Sequence, residues 1–163
     1  FSYPDSSQFR LLSDQRVIAD KALSRGLGCE VGQEWVQISG IRTLGNDGLP
    51  ICWADVYVIP EYGAIAQRLG GSTRPVYEMI AEAFKESIDK ITVRVTAGTL
   101  SEQKARVLGV EAGSPSLSVW RFYQGMGGRV FEVSISEHPA SNFSYTFEFT
   151  RGWQTADHWS WSS

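Results

Sequence analysis

The sequence predicts an α+β fold, a mainly antiparallel six-stranded sheet with flanking helices, on three observations. Strand-like runs come in pairs joined by glycine-containing turns, which makes hairpins and therefore antiparallel neighbours. Helical periodicity appears between those pairs and not after every strand. A pattern of helix, LGxExG turn and hairpin also occurs twice in order, so the sheet reads as internally duplicated about a central helix.

The elements follow in chain order. From Asp14 to Leu27 the apolar residues Val17, Ile18, Ala22, Leu23 and Leu27 recur near helical spacing. Ser13 or Asp14 is placed to cap that helix, and Gly26 and Gly28 to stop it. EWVQISGIRTL (34–44) and PICWADVYVI (50–59) are rich in β-branched and aromatic residues and flank GNDG, so they form a hairpin. Pro60 opens a short helix over Glu61–Leu69 that Gly70 and Gly71 end. RPVYEMIAEAFK (74–85) gathers Val76, Met79, Ile80, Ala83 and Phe84 on one side of a helix. Ile91, Val93, Val95 and Ala97 alternate with Thr92, Arg94 and Thr96, which predicts a strand with one buried face. Ser101 caps a helix that Gly109 ends. Strands at 116–124, 129–137 and 143–149 complete the sheet.

The repeat is read by matching Ser13-Asp14-Gln15, Leu27-Gly28-Cys29-Glu30-Val31-Gly32 and a strand with Arg42 to a downstream series. That series is Ser101-Glu102-Gln103, Leu108-Gly109-Val110-Glu111-Ala112-Gly113 and a strand with Arg121. Two half-sheets that meet leave a cleft, a usual place for a small-molecule site.

Composition narrows the function classes. In 163 residues, 42% are hydrophobic and 20% charged, enough for one domain with a proper core. A formal charge of -3, from 15 Lys+Arg against 18 Asp+Glu, argues against unaided nucleic-acid binding. No run approaches the roughly 20 apolar residues of a membrane span, and the start lacks a signal-peptide pattern, so a cytoplasmic location is expected. Cys29 and Cys52 form no ligand spacing, and with 2 histidines neither a metal nor a cofactor is expected. FSYPDSSQFR is polar and linker-like, so residues 1–12 are expected to end an interdomain linker, 13–150 to form the domain and 151–163 a tail. Trp153, Trp159 and Trp161 predict that this tail packs on the body or on a partner.

The strand parity carries the chemistry. Arg42 shares a face with Val36, Ile38 and Leu44, and Arg121 with Leu117, Val119 and Tyr123. A guanidinium among aliphatics needs a carboxylate, a route to the rim or an anionic ligand. Two such forks, at what read as equivalent places, suit a phosphate, phosphonate or carboxylate. On the strand 129–138, Glu132, Ser134, Ser136 and His138 face one way, and Phe131, Val133 and Ile135 the other. That stripe is either a solvated face or the cleft wall; as cleft wall it would offer an acceptor, two hydroxyls and an imidazole. Asp55, Tyr57 and Tyr145 are further candidates. No GxSxG, P-loop, GxGxxG, HExxH or CxxC occurs, so no catalytic residue is expected.

PVYEMIAEAF, SEQKARVLGVEAGSPSLSVWRFY, GGRVFEVSISEHP and FSYTFEF together resemble the UTRA domain over Ala19–Phe149. That domain is the C-terminal effector-binding half of HutC-type GntR-family bacterial transcription regulators. The resemblance implies a chorismate lyase-like fold and no enzymatic activity. It implies a homodimer that meets operator DNA only through an upstream winged helix-turn-helix, absent from this chain. It also implies that Arg42 and Arg121 hold the anionic part of an effector such as a phosphorylated sugar, phosphonate or carboxylate. Glu132 is similar to the family's acidic residue after G-R-P, with Val130 here in place of proline. His138 stands where relatives carry tyrosine, and Tyr145 matches the last-strand aromatic. The chain departs from the family at Pro139–Asn142 and at Leu44, where an Arg or Asp pair and a second arginine are common. A free-standing chorismate-lyase-type enzyme is the alternative, and a dimerisation module without ligand a third reading.

Overall fold

A computed structural model of the protein describes residues 7–45 and 48–151. Its elements are β1 (Ser7–Ile18), α1 (Lys21–Leu27), β2 (Glu34–Leu44), β3 (Leu49–Val58), a 3-10 segment (Pro60–Arg68) and α2 (Val76–Phe84). They continue with β4 (Lys90–Thr99), α3 (Glu102–Leu108), β5 (Pro115–Gln124) and β6 (Val130–Pro139). The strands form a 6-stranded sheet in the order β1-β2-β3-β6-β5-β4, antiparallel at every junction. The expected α+β architecture is therefore the one observed. Each half contributes a three-stranded meander, and the halves join where β3 pairs with β6.

Two predicted elements change. The helix expected from Asp14 starts only at Lys21, because β1 runs through Ile18 and pairs Val17 with Trp35 and Asp14 with Ile38. Asp20 is the actual cap, its carboxylate accepting from the Leu23 N–H at 2.8 Å. The apparent helical spacing ran across a strand-to-helix boundary. β1 also takes residues 7–12 out of the expected linker, since Phe9 and Leu11 pair with Arg42 and Gly40.

The strand expected at 143–149 is not one. A 3-10 turn at Ala140–Asn142 carries the chain off the sheet after β6. β6 already has β3 on one side and β5 on the other, so a strand following it by a short turn has no free edge to pair with. β4 differs in burial: as an edge strand with β5 its only neighbour, it leaves Ile91 and Val93 half-buried and Val95 39% exposed instead of burying one face. The tail tryptophans lie outside the described residues.

The duplication is present and keeps the register read for the two LGxExG turns, but the start of the helix and the arginines pair differently. Asp20 and Ser101 both cap helices, Gly28 and Gly109 both close them in the left-handed region at φ 69 and 71, and the two pairs share one separation in sequence. Backbone bonds recur at that separation, with Ala19 N–H to Gln33 O and Gly32 N–H to Ala19 O matched by Leu100 N–H to Ser114 O and Gly113 N–H to Leu100 O. The counterpart of Ser101 is thus Asp20 and not Ser13, and β1 is the counterpart of β4.

The helices divide between the faces. α1 lies on the face of Trp120, close enough that a Cβ on Gly26 would meet that ring at 3.3 Å. On the same face α3 packs Ala105 and Leu108 against Ile41 and Trp53. Each half's first helix therefore rests on strands of the other half, which ties the two together. The 3-10 segment and α2 cover the opposite face, where Gly63 abuts Val36 and Tyr77 stacks on Tyr123 at 4.9 Å. Among the described residues no helix is long and apolar enough to cross a membrane.

Candidate functional site

The face covered by α2 holds a cavity at the junction of the halves. β1 and β2 supply Phe9 and Arg42, β3 supplies Ala54 and Val56, and α2 with its leading proline supplies Pro75, Val76 and Tyr77. From the second half come Arg121 and Tyr123 on β5 and Glu132, Ser134 and Ser136 on β6. Strand parity is what gathers them: antiparallel register sets Arg121 opposite Ser134 and Tyr123 opposite Glu132, with their side chains on one face. The cavity encloses about 40 Å3, room for a few water molecules.

Of the residues singled out by sequence, Arg42, Arg121, Glu132, Ser134 and Ser136 are brought together here. Glu132, Ser134 and Ser136 of the polar stripe of β6 form a wall of the cavity, and the stripe is not a solvated face: Glu132 is 1% exposed, Ser136 3% and His138 4%, with Ser134 half-buried. Burial is the dominant influence on Glu132 and raises its pKa to about 8, against the smaller opposing pull of Arg121. Its Oε1 has no hydrogen-bond partner among the described residues. At neutral pH this group is thus mainly a carboxylic acid, able to donate as well as accept.

His138 shares the face but lies beyond the cavity wall, its ring stacked on Phe143 at 3.7 Å between centroids. Burial first, and the Arg121 charge second, lower its pKa to about 4, so it is a neutral imidazole at pH 7. Tyr145 also stands outside the wall. Its hydroxyl is buried beside Arg121, burial raising its pKa and the guanidinium lowering it by less.

Asp55 does not line the cavity. Alternation along β3 turns Ala54 and Val56 into the cavity and Asp55 to the other face. There it accepts from Ser39 Oγ at 2.5 Å, Trp53 Nε1 at 3.2 Å and Gln37 Nε2 at 3.4 Å. Tyr57 follows it, its pKa raised to about 12 by burial and then by Asp55.

The two arginines are also not equivalent. At the separation set by the caps and glycines, Arg121 corresponds to Gly40, and Arg42 to Tyr123. Gly40 has no room for a side chain, because a Cβ there would lie 2.3 Å from the Phe9 ring and 2.6 Å from the Arg10 carbonyl oxygen. Arg42 is 4% exposed, donates to the carbonyls of Ser72 and Arg74 at 3.3 and 3.4 Å, and lies 5.5 Å from the centre of the Phe9 ring.

Sequence reasoning missed the upper wall. Phe9 was hidden in the presumed linker. Tyr77 offered a signal, an aromatic in the first turn of the central helix, but nothing in one sequence says which strand it meets. Among the described residues no cluster of three or more His, Cys, Asp or Glu is placed to hold a metal ion.

A profile of the UTRA domain matches residues 4–144. The chain belongs to the UTRA domain family. Solved structures agree on the fold. This UTRA domain superposes on a ligand-binding domain assigned to the GntR family of transcriptional regulators, from Bordetella bronchiseptica, with a TM-score of 0.73 at 21% identity, covering 92% of this chain and 93% of that one. A GntR-family transcriptional regulator from Bacillus cereus gives 0.72 at 18% identity, covering 89% and 99%. The effector domain of PhnF from Mycobacterium smegmatis gives 0.72 at 16% identity, covering 89% and 88%. No curated protein sequence matches the chain. At these identities the likeness shows a shared fold, and the side chains of the cavity are this UTRA domain's own.

Proposed function

We propose that this domain is the ligand-sensing part of a HutC-type GntR transcription regulator, a sensor and not an enzyme. The effector is a small anionic metabolite, such as a phosphorylated sugar, a phosphonate or a carboxylate, and it is bound on the Arg121 side of the cavity. The observation that carries the reading is the meeting of Arg121 with a neutral Glu132 and the hydroxyls of Ser134 and Ser136 on one wall of the cavity, with Glu132 and Ser136 buried. A guanidinium beside a protonated carboxyl offers its fork to an anion, and the carboxyl and the two hydroxyls add hydrogen bonds to it.

The regulator works in the cytoplasm as a homodimer, with DNA bound by a winged helix-turn-helix domain of the same regulator. Binding changes DNA affinity only insofar as the anion prefers one arrangement of the dimer over the other. A thermal-shift screen of sugar phosphates, phosphonates and carboxylates tests the site: at least one class raises the melting temperature of wild type and not of Arg121→Ala. Equal stabilisation of both proteins by every active compound refutes the assignment.

A further inference from the structure

The segment between the 3-10 element and α2 forms the roof of the cavity, and three sets of bonds hold it down. Gly71 N–H donates to Phe9 O at 2.9 Å and Phe9 N–H to Ser72 O at 3.0 Å, so β1 pairs with the roof. Ser72 Oγ accepts from Arg74 N–H at 3.1 Å and donates to Met79 Sδ at 3.4 Å, which ties the roof to α2. Arg42 reaches up from the floor to the carbonyls of Ser72 and Arg74. Its guanidinium is thus engaged with the roof, and withdrawing it would take a donor from the Arg74 carbonyl and leave the Ser72 carbonyl to Phe9 N–H. The cavity's volume of about 40 Å3 is well below the roughly 300–1,000 Å3 of ligand pockets. A metabolite of that size is taken in fully only if the roof and the first turn of α2 move, and otherwise extends out through the mouth of the cavity.

We propose that Arg42 is the latch of this pocket, a positioning residue that holds the roof closed through the Ser72 and Arg74 carbonyls, while Arg121 alone anchors the anion. The inference rests on the sensor reading above and specifies its regulation. It departs from a symmetric pair of arginine anchors, which the internal repeat does not support: Arg121 stands in the place of Gly40, and Arg42 in that of Tyr123. A latch lowers the fraction of molecules competent to bind, and so weakens apparent affinity by that fraction. Opening the roof also moves α2, giving the anion a structural consequence.

The test uses inorganic phosphate as probe on the whole chain, with calorimetric titration and hydrogen exchange of wild type, Arg42→Gln, Arg42→Lys and Arg121→Gln. Lysine keeps the charge but not the two-pronged donor, and guards against a glutamine variant that fails to fold. Both Arg42 variants are expected to speed amide exchange over residues 70–80 on the order of tenfold, with β3 and β6 as protected as in wild type. They bind phosphate several-fold more tightly, whereas Arg121→Gln loses on the order of tenfold. Roof protection in Arg42→Lys equal to wild type overturns the latch, as does a loss of phosphate affinity matching that of Arg121→Gln. Should phosphate bind Arg121→Gln as well as wild type, the site reading fails, and the exchange data alone still decide the latch.

Discussion

Glu132 lies beside the positive charge of Arg121 and is nevertheless held as an acid, because complete removal from water outweighs that one neighbour. His138, on the same strand, is held as a neutral base by burial and by the same guanidinium. These two groups give stability opposite pH slopes. A carboxyl raised to about 8 from 4.5 binds more protons folded than unfolded over that interval, so its contribution falls as pH rises. An imidazole lowered to about 4 from 6.5 binds fewer protons folded, so its contribution falls as pH drops through that range. Above pH 6.5 the Glu132 effect outweighs this fading opposition, and wild type is expected to lose roughly 1 kcal/mol between pH 6.5 and 8. Urea unfolding at the two pH values should show most of that loss removed in Glu132→Gln. An equal loss in the variant would mean that Glu132 ionises normally.

Gly40 is required by contact and not by backbone torsion. An added Cβ would meet both the Phe9 ring and the Arg10 carbonyl oxygen, and the latter belongs to paired β1 backbone that cannot step aside. Gly40→Ala is expected to cost about 2–4 kcal/mol and to increase exchange along β1, measured by denaturant unfolding and amide exchange. A change under about 0.5 kcal/mol, the range of a neutral surface substitution, would contradict the packing of Phe9 over β2.

The start of α1 separates the sequence reading from the structure in one experiment. Asp20→Ala removes the cap acceptor for Leu23 N–H and should cost about 1 kcal/mol. Ser13→Ala, at a strand position, should be close to neutral. Equilibrium unfolding of both variants decides between the two boundaries, and the reverse ranking would favour a helix beginning near Ser13.

Much of the architecture was legible because antiparallel hairpins leave local marks. Both hairpins, the Ser101-capped helix and the parity that puts Arg42 and Arg121 among aliphatic residues and Glu132 on a polar stripe follow from residue order alone. β1 was not legible: its pairs with β2 are long-range, and Phe9 and Leu11 sit among polar residues. The aromatic alternation of 143–149 misled for the converse reason, a good strand pattern placed after a strand with both edges filled. Asp55 shows the same limit at the site. Its parity against Ala54 and Val56 was readable, but which face of β3 carries the cavity was not.

The sequence by itself determined the fold class, the family, the duplication and the face on which each charged residue stands, since these depend on short-range periodicity and on turn chemistry. Only the tertiary structure decided that the two arginines are unlike and that Glu132 is an acid. It alone placed the roof over Arg42 and left β4 as an edge. Burial, register between distant strands and the partner each polar group finds are properties of the packed molecule, and desolvation, which sets the charge of the site, exists only there.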